Sequence, residues 1–306
     1  MKPQHQAPEA NPKARIGHRI EQALRRALAA GEAPGHPPRL AAAMRHAVFP
    51  GGARIRPQLA LSVALACGDG DPLLADAAAA AIELLHCASL VHDDLPCFDA
   101  ALTRRGVETV HVAYGERLAV LAGDALIVLA FQSLAAAATH APQRLPVLLG
   151  IVARSVGMPL GIVAGQAWEC EPRVSLAEYQ RAKTGALFAA ATELGAEAAG
   201  QPGVPWRDFG QRLGQAYQVA DDIRDVASEP GALGKPVGQD QALCRPSAAA
   251  DLGLLGAMAH FRTLLASAVA AIPGCRGAPA LRALVRAEAD RLLPSAITAE
   301  IARLAA

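Results

Sequence analysis

Ala88-Ser-Leu-Val-His-Asp-Asp-Leu-Pro-Cys-Phe-Asp99 carries an apolar run to an abrupt acidic end, and Ala216-Tyr-Gln-Val-Ala-Asp-Asp-Ile-Arg-Asp225 repeats the pattern further along. Runs rich in Ala and Leu favour helix, so each cluster stands where a helix closes. Carboxylates there face the negative end of the helix dipole and repel one another, a charge problem that a cation relieves. Asp221 and Asp225 are four residues apart, about 40° around a helix, and project from one face. Asp93 and Asp99 are six apart, about 120° on an unbroken helix. Pro96 stops the hydrogen-bond ladder between them and lets Asp99 turn back toward Asp93.

One Asp-Asp-x-x-Asp is as readily a solvated helix end as a ligand set. Two copies with the same apolar lead point to a shared task, and each has basic residues downstream, Arg104 and Arg105 after the first and Lys235 after the second. All-oxygen carboxylate sites suit Mg²⁺, which keeps several waters and completes its shell with phosphate oxygens. The third party that the pattern asks for is a magnesium-bound diphosphate.

The 306 residues are 52% hydrophobic but only 4% aromatic, with few β-branched runs, which predicts one all-α domain able to bury a sizeable core. A net charge of +1 provides no basic field for nucleic acid. Cys67, Cys87, Cys97, Cys170, Cys244 and Cys275 form no Cys-x-x-Cys pair, as expected of reduced thiols in a cytoplasmic protein. Residues 1–13 carry Pro3, Pro8 and Pro12 among polar groups and read as a mobile arm, not a signal peptide, ahead of a single domain over 14–306. Leu118 to Ala138 and Pro146 to Trp168 are long enough to tempt a membrane reading. Asp124 and Arg154 interrupt them, so they are expected to be helices buried in the bundle and not membrane spans.

Three basic sets accompany the carboxylates. Gly51-Gly52-Ala53-Arg54-Ile55-Arg56-Pro57 precedes an apolar helix expected from near Gln58; the glycine pair lets backbone N–H groups approach an anion and arginine supplies bidentate donors. Arg104 and Arg105 are adjacent, so their side chains diverge and can address two different anions. Lys183 and Thr184 place an ammonium and a hydroxyl inside an apolar helix, where a buried cation needs an anionic partner.

With these residues assembled, the chain from about Gly51 to Asp240 resembles the trans-isoprenyl diphosphate synthases, the polyprenyl synthetase family. Leu90 to Asp99 looks like the family's first aspartate-rich motif in its longer form. Asp221 to Asp225, preceded by Gln218 and followed by Gly234-Lys-Pro-Val-Gly-Gln-Asp240, looks like the second. Within the family the resemblance is nearest to the geranylgeranyl diphosphate synthases of bacterial carotenoid pathways. It implies an all-α bundle around a deep central active-site cavity, in a homodimer. It further implies that Asp93, Asp94, Asp99, Asp221, Asp222 and Asp225 hold magnesium, three ions once the allylic diphosphate is bound. Arg104, Lys183, Thr184, Gln218 and Lys235 would hold that diphosphate directly, and Arg56, His86 and Arg105 would hold isopentenyl diphosphate. The implied reaction is ionisation, condensation and elimination on dimethylallyl, geranyl or farnesyl diphosphate.

Three positions depart from the family pattern. The usual Gly-Gly-Lys is Gly-Gly-Ala53, which deletes an ammonium from the isopentenyl site. Acidic residues that often follow the first motif are Ala100-Ala101-Leu102, and after Asp240 the expected lysine is Arg245, which keeps the positive charge but alters its reach. A class I terpene cyclase needs one diphosphate site only, whereas Arg56, His86 and Arg105 argue for two, and the second motif usual in cyclases is absent. A non-catalytic partner subunit is disfavoured because all six motif aspartates are present. For product length, the family blocks growth at fifteen carbons with an aromatic five residues before the first aspartate. Ala88 and Ser89 occupy this level and are small, which favours the twenty-carbon product over farnesyl diphosphate.

Overall fold

The central helix starts where local chemistry says it should. Asp71 accepts a hydrogen bond from the Leu74 N–H at 3.1 Å, and Pro72 fills the first helical position, where an N–H would go unpaired. The computed structural model describes residues 12–172, 175–227 and 247–293. In chain order its helices are α1 (Pro12–Ala30), α2 (Pro38–Val48), α3 (Ile55–Ala66), α4 (Pro72–Asp93), α5 (Val110–Tyr114), α6 (Glu116–Ala137), α7 (Leu145–Val156), α8 (Ile162–Ala167), α9 (Leu176–Gln180), α10 (Ala186–Ala198), α11 (Arg207–Ala227), α12 (Ala248–Ala270) and α13 (Ala278–Leu292). A π-helical turn, Arg181–Gly185, joins α9 to α10. Helix α1 takes in Pro12 and Lys13, the last two residues of the expected arm, and Lys13 pairs with Glu288 at 2.7 Å. Residues 1–11 lie outside the described residues.

The alanine-rich faces let helices approach closely. Helix α4 packs along α6 and against α1, α3 and α10, and α11 packs along α12. The main core contains Leu24 of α1, Leu61 of α3, Leu84 and Leu85 of α4, Leu126 of α6 and Phe188 of α10, all fully buried. A smaller cluster joins Val219 and Ile223 of α11 to Met258 and Phe261 of α12 and Ala289 of α13, and Leu265 packs against both clusters.

The all-α expectation holds, with one small strand pair in the described residues: Thr103–Arg104 pairs antiparallel with Val107–Glu108. The two residues between them, Arg105 at φ 54° and Gly106 at φ 80°, make the tight left-handed turn that matches the twist of such a ribbon. Helix α3 begins at Ile55 and not near Gln58, because Pro57 fits a helix's first turn and need not precede it. Pro146 to Trp168 is not one helix but α7, a break at 157–161, then α8. Pro72–Asp93, Glu116–His140 and Ala248–Ala270 have the length and hydropathy to cross a membrane; 78% of the apolar window is buried in the first, 39% in the second and 28% in the third.

Candidate active site

Helix α4 delivers the first acidic cluster as its own terminus. Asp93 is its last residue, Asp94 its cap, and the chain then folds back so that the Asp99 N–H donates to the Asp93 carbonyl at 3.0 Å. That is the return that Pro96 was expected to permit. Asp221 and Asp225 lie near the end of α11 as described. Half-buried residues run down both helices, His86, Ser89 and Asp93 on α4 and Tyr217, Asp221 and Arg224 on α11. Arg56 of α3 spans the two rows: one Nη stands 3.4 Å from His86 Nε2, and its guanidinium carbon lies 4.8 Å from the Phe188 ring centre and 5.9 Å from that of Tyr217. Arg56 thus ties the α4 row to the α11 row.

The expected diphosphate ligands that lie among the described residues are each already bonded within the protein. Arg104 grips Asp94 with Nε at 2.7 and 2.9 Å and Nη2 at 2.5 Å. Burial opposes the Arg104 charge, but the Asp94 carboxylate more than offsets it and raises the guanidinium above its ordinary value. Lys183 reaches toward Asp93 at 4.0 Å and bonds Glu169, whose Oε1 also accepts from the Tyr179 hydroxyl at 2.6 Å. The π turn places these side chains; helices that carry such a turn often do so at functional sites. Gly165 of α8 is what admits it, since a Cβ there would strike the Lys183 backbone. Thr184 donates to Gln218 Oε1 at 2.6 Å, and Gln218 donates to Asp222 at 2.9 Å.

The second set of cations sits on the Arg56 side. Arg105 leaves the ribbon turn in the opposite sense to Arg104, donates to the Gly51 carbonyl and packs its guanidinium on Gly52. Desolvation, then the positive charges of Arg56 and Arg105, push His86 well below the ordinary histidine value, so it is neutral near pH 7. Desolvation also lowers Arg56, whose Nε is a buried donor with no hydrogen-bond partner among the described residues. Burial and Glu83 push the neighbouring Cys87 thiol up to about 12, so it is an inert core group.

Sequence reading missed Glu169, Tyr179 and the Arg54–Glu83 pair. Glu83 stands in Ala-Ile-Glu-Leu-Leu, and a carboxylate in so apolar a run signals a buried partner; Arg54 is that partner at 2.7 Å. Nothing in the sequence ties Glu169 to Lys183. Lys235, Asp240 and Arg245 lie outside the described residues. Among the described residues no three carboxylate, histidine or cysteine side chains group closely enough to hold a metal by themselves. The donor set nevertheless fits Mg²⁺, which binds through one or two carboxylates and draws its other ligands from phosphate and water. By resemblance its holders would be Asp93, Asp94, Asp99, Asp221, Asp222 and Asp225, of which Asp94 already has both oxygens bonded to Arg104.

An all-α bundle with one acidic cluster closing α4, a second on α11 and cations beside both defines a class. The chain belongs to the polyprenyl synthetase family, whose model matches residues 37–268. Among relatives, it is 53% identical to the geranylgeranyl diphosphate synthase of Cereibacter sphaeroides over 92% of this chain and 98% of that one. It is 51% identical to the geranylgeranyl diphosphate synthase of Rhodobacter capsulatus over 93% and 99%. Among solved structures, a Helicobacter pylori geranyltransferase complexed with magnesium and isoprenyl diphosphate superposes with a TM-score of 0.77 at 27% identity, covering 92% of this chain and 99% of that one. Geranylgeranyl pyrophosphate synthetase of Pyrococcus horikoshii gives 0.74 at 29% identity, covering 89% and 96%.

Proposed function

We propose that this chain elongates allylic diphosphates with isopentenyl diphosphate and releases geranylgeranyl diphosphate. The observation that carries the reading is the division of cations at the end of α4: Lys183 and Arg104 beside Asp93 and Asp94, and Arg56 and Arg105 apart from them near His86. Two separate cationic sets suit two diphosphates, and the names of the two relatives above half identity supply the product. We further infer a Mg²⁺-dependent cytoplasmic homodimer without a membrane span, serving carotenoid or related isoprenoid synthesis.

Lys183 and Arg104 hold oxygens of the allylic diphosphate and stabilise the charge that develops on it as its C–O bond breaks. Bound magnesium would supply Lewis-acid neutralisation of the same leaving group. Arg56 and Arg105 hold the isopentenyl diphosphate, with the Arg56 Nε as a donor awaiting an acceptor. Neutral His86 accepts from Arg56 without adding a third positive charge. The alkene then attacks the allylic cation, a carbon–carbon bond forms, and the proton lost passes to the released diphosphate. The apolar walls of α4, α10 and α11 exclude water from the cation.

Purified chain with Mg²⁺, isopentenyl diphosphate and each of dimethylallyl, geranyl and farnesyl diphosphate tests this, with products separated by chain length. A twenty-carbon diphosphate supports the proposal. A cyclic hydrocarbon without elongation identifies a cyclase, a fifteen-carbon product a farnesyl synthase, and no product from any primer a partner subunit.

A further inference from the structure

Asp222 sits differently from Asp221, the residue beside it in the second acidic cluster. It is 1% exposed, and each of its oxygens accepts a hydrogen bond: Oδ1 from Gln218 Nε2 at 2.9 Å and Oδ2 from the Ala248 backbone N–H, at the start of α12, at 2.8 Å. Gln218 in turn accepts from the Thr184 hydroxyl at 2.6 Å. The bonds form one relay from the π turn through α11 to α12. Asp221, about 100° away around the helix, turns instead to the open side. There a third of its side chain is accessible, and it pairs with Arg224 at 2.8 Å.

We propose that Asp222 is a positioning residue and not a magnesium ligand, which corrects its assignment by resemblance. Resting on the function proposed above, the proposal is that Asp222 orients Gln218, and through it Thr184, against the allylic diphosphate while anchoring α12 to α11. A magnesium ion keeps several waters and needs room for them. A buried carboxylate with both oxygens engaged offers a first coordination position only by giving up a bond that holds two helices together. Gln218 is fixed as well: its carbonyl faces Thr184 and its amide faces Asp222, so the orientation of both expected diphosphate contacts is set from behind.

Asn and Ala at this position separate the roles. In Asp222→Asn the relay can run in reverse, the new amide donating to Gln218, Gln218 donating to Thr184, and the new carbonyl still accepting from Ala248. The magnesium concentration for half-maximal rate should then stay within about twofold of the parent, and melting without metal or substrate should be unchanged. Asp222→Ala, which breaks the relay, should lower the melting temperature without ligands and raise the KM for the allylic diphosphate about tenfold, with the magnesium requirement unmoved. Asp221→Asn should do the reverse, raising the magnesium requirement about tenfold or more while melting normally. The proposal is overturned if Asp222→Asn needs as much extra magnesium as Asp221→Asn, or if Asp222→Ala melts like the parent. Melting needs no turnover, so the anchoring role is decided even if the parent chain proves to elongate nothing.

Discussion

The guanidinium of Arg105 lies so close over Gly52 that a Cβ built on that glycine would stand 2.7 Å from its central carbon. Gly52 also holds φ at 138°, a conformation that side-chain-bearing residues rarely adopt. Gly52→Ala should therefore displace Arg105 and raise the KM for isopentenyl diphosphate about tenfold or more, with the allylic KM little changed, since one charged hydrogen bond is worth about 1.5–3 kcal/mol. Arg105→Ala should do the same. Ala53→Lys, which returns an ammonium to the loop, should leave kcat alone and leave unchanged or lower that KM. Steady-state kinetics with each substrate varied in turn checks all three; an isopentenyl KM indifferent to Arg105→Ala rejects the two-diphosphate site.

Asp93 stands 4.0 Å from Lys183, and Asp221 acts electrostatically on Arg56. Asp93→Ala or Asp221→Ala should each cost at least ~10²-fold in turnover, the scale of losing one strong electrostatic contact to a transition state. Far-ultraviolet circular dichroism should not change. Near-normal turnover in both variants removes the metal assignment.

The helical class, the acidic end of α4 and the return of Asp99 were legible because they rest on local rules: helix propensity, one proline, and the repulsion of neighbouring carboxylates. The division between Arg104 and Arg105 was legible too, but its cause was not. It comes from a two-residue ribbon whose turn needs positive φ at Arg105, a residue type that gives no warning of it. Glu169 and the Asp222 relay escaped for another reason. Both depend on which residues two separate elements bring together, Glu169 with Lys183 and Asp222 with Ala248, and no periodicity within one segment encodes such a meeting.

Arg54 is the structural counterpart of Arg56. It enters α3 at φ 50°, bonds Glu83 and the Val48 carbonyl at 2.7 Å each, and reaches Glu21 at 3.1 Å. Removing one partner of a buried pair leaves the other charge stranded, so Glu83→Ala should destabilise the fold by about 3–5 kcal/mol. Chemical denaturation reads this directly. Arg54→Ala should fall in the same range, and the double variant should cost less than the sum of the two.

His86 gives a pH dependence whose sign is fixed. Its folded value is well below 6.5, so above pH 6.5 it is neutral in both folded and unfolded chains and has no effect. As pH falls below 6.5 the unfolded chain takes up a proton that the folded chain refuses, and stability drops at up to about 1.4 kcal/mol per pH unit. The parent should lose more melting temperature between pH 7 and pH 5.5 than His86→Gln does. Parallel curves for the two proteins would show that His86 protonates in place.

Product length turns on how far a growing chain can run along α4 from Asp93. One helical turn rises 5.4 Å, about one extended isoprene unit, so a residue a turn or so upstream can act as a floor. Ser89 lies on the half-buried row with Asp93, its hydroxyl bonded to the His86 carbonyl at 2.8 Å. Ala88 is 1% exposed and stands one turn before His92, which packs against Gly123 of α6. A ring at Ala88 must therefore either wedge α4 from α6 or swing toward the path of the chain. Adding even single methylenes to a packed core costs typically about 1–3 kcal/mol, so a ring here carries a thermal cost of at least that order. Ala88→Phe should move the main product from twenty carbons to fifteen with activity retained and a lower melting temperature. Ser89→Phe, on the half-buried row with Asp93, should shorten the product without that thermal cost. An unchanged product in both, or a parent that already stops at fifteen, places the floor on another helix.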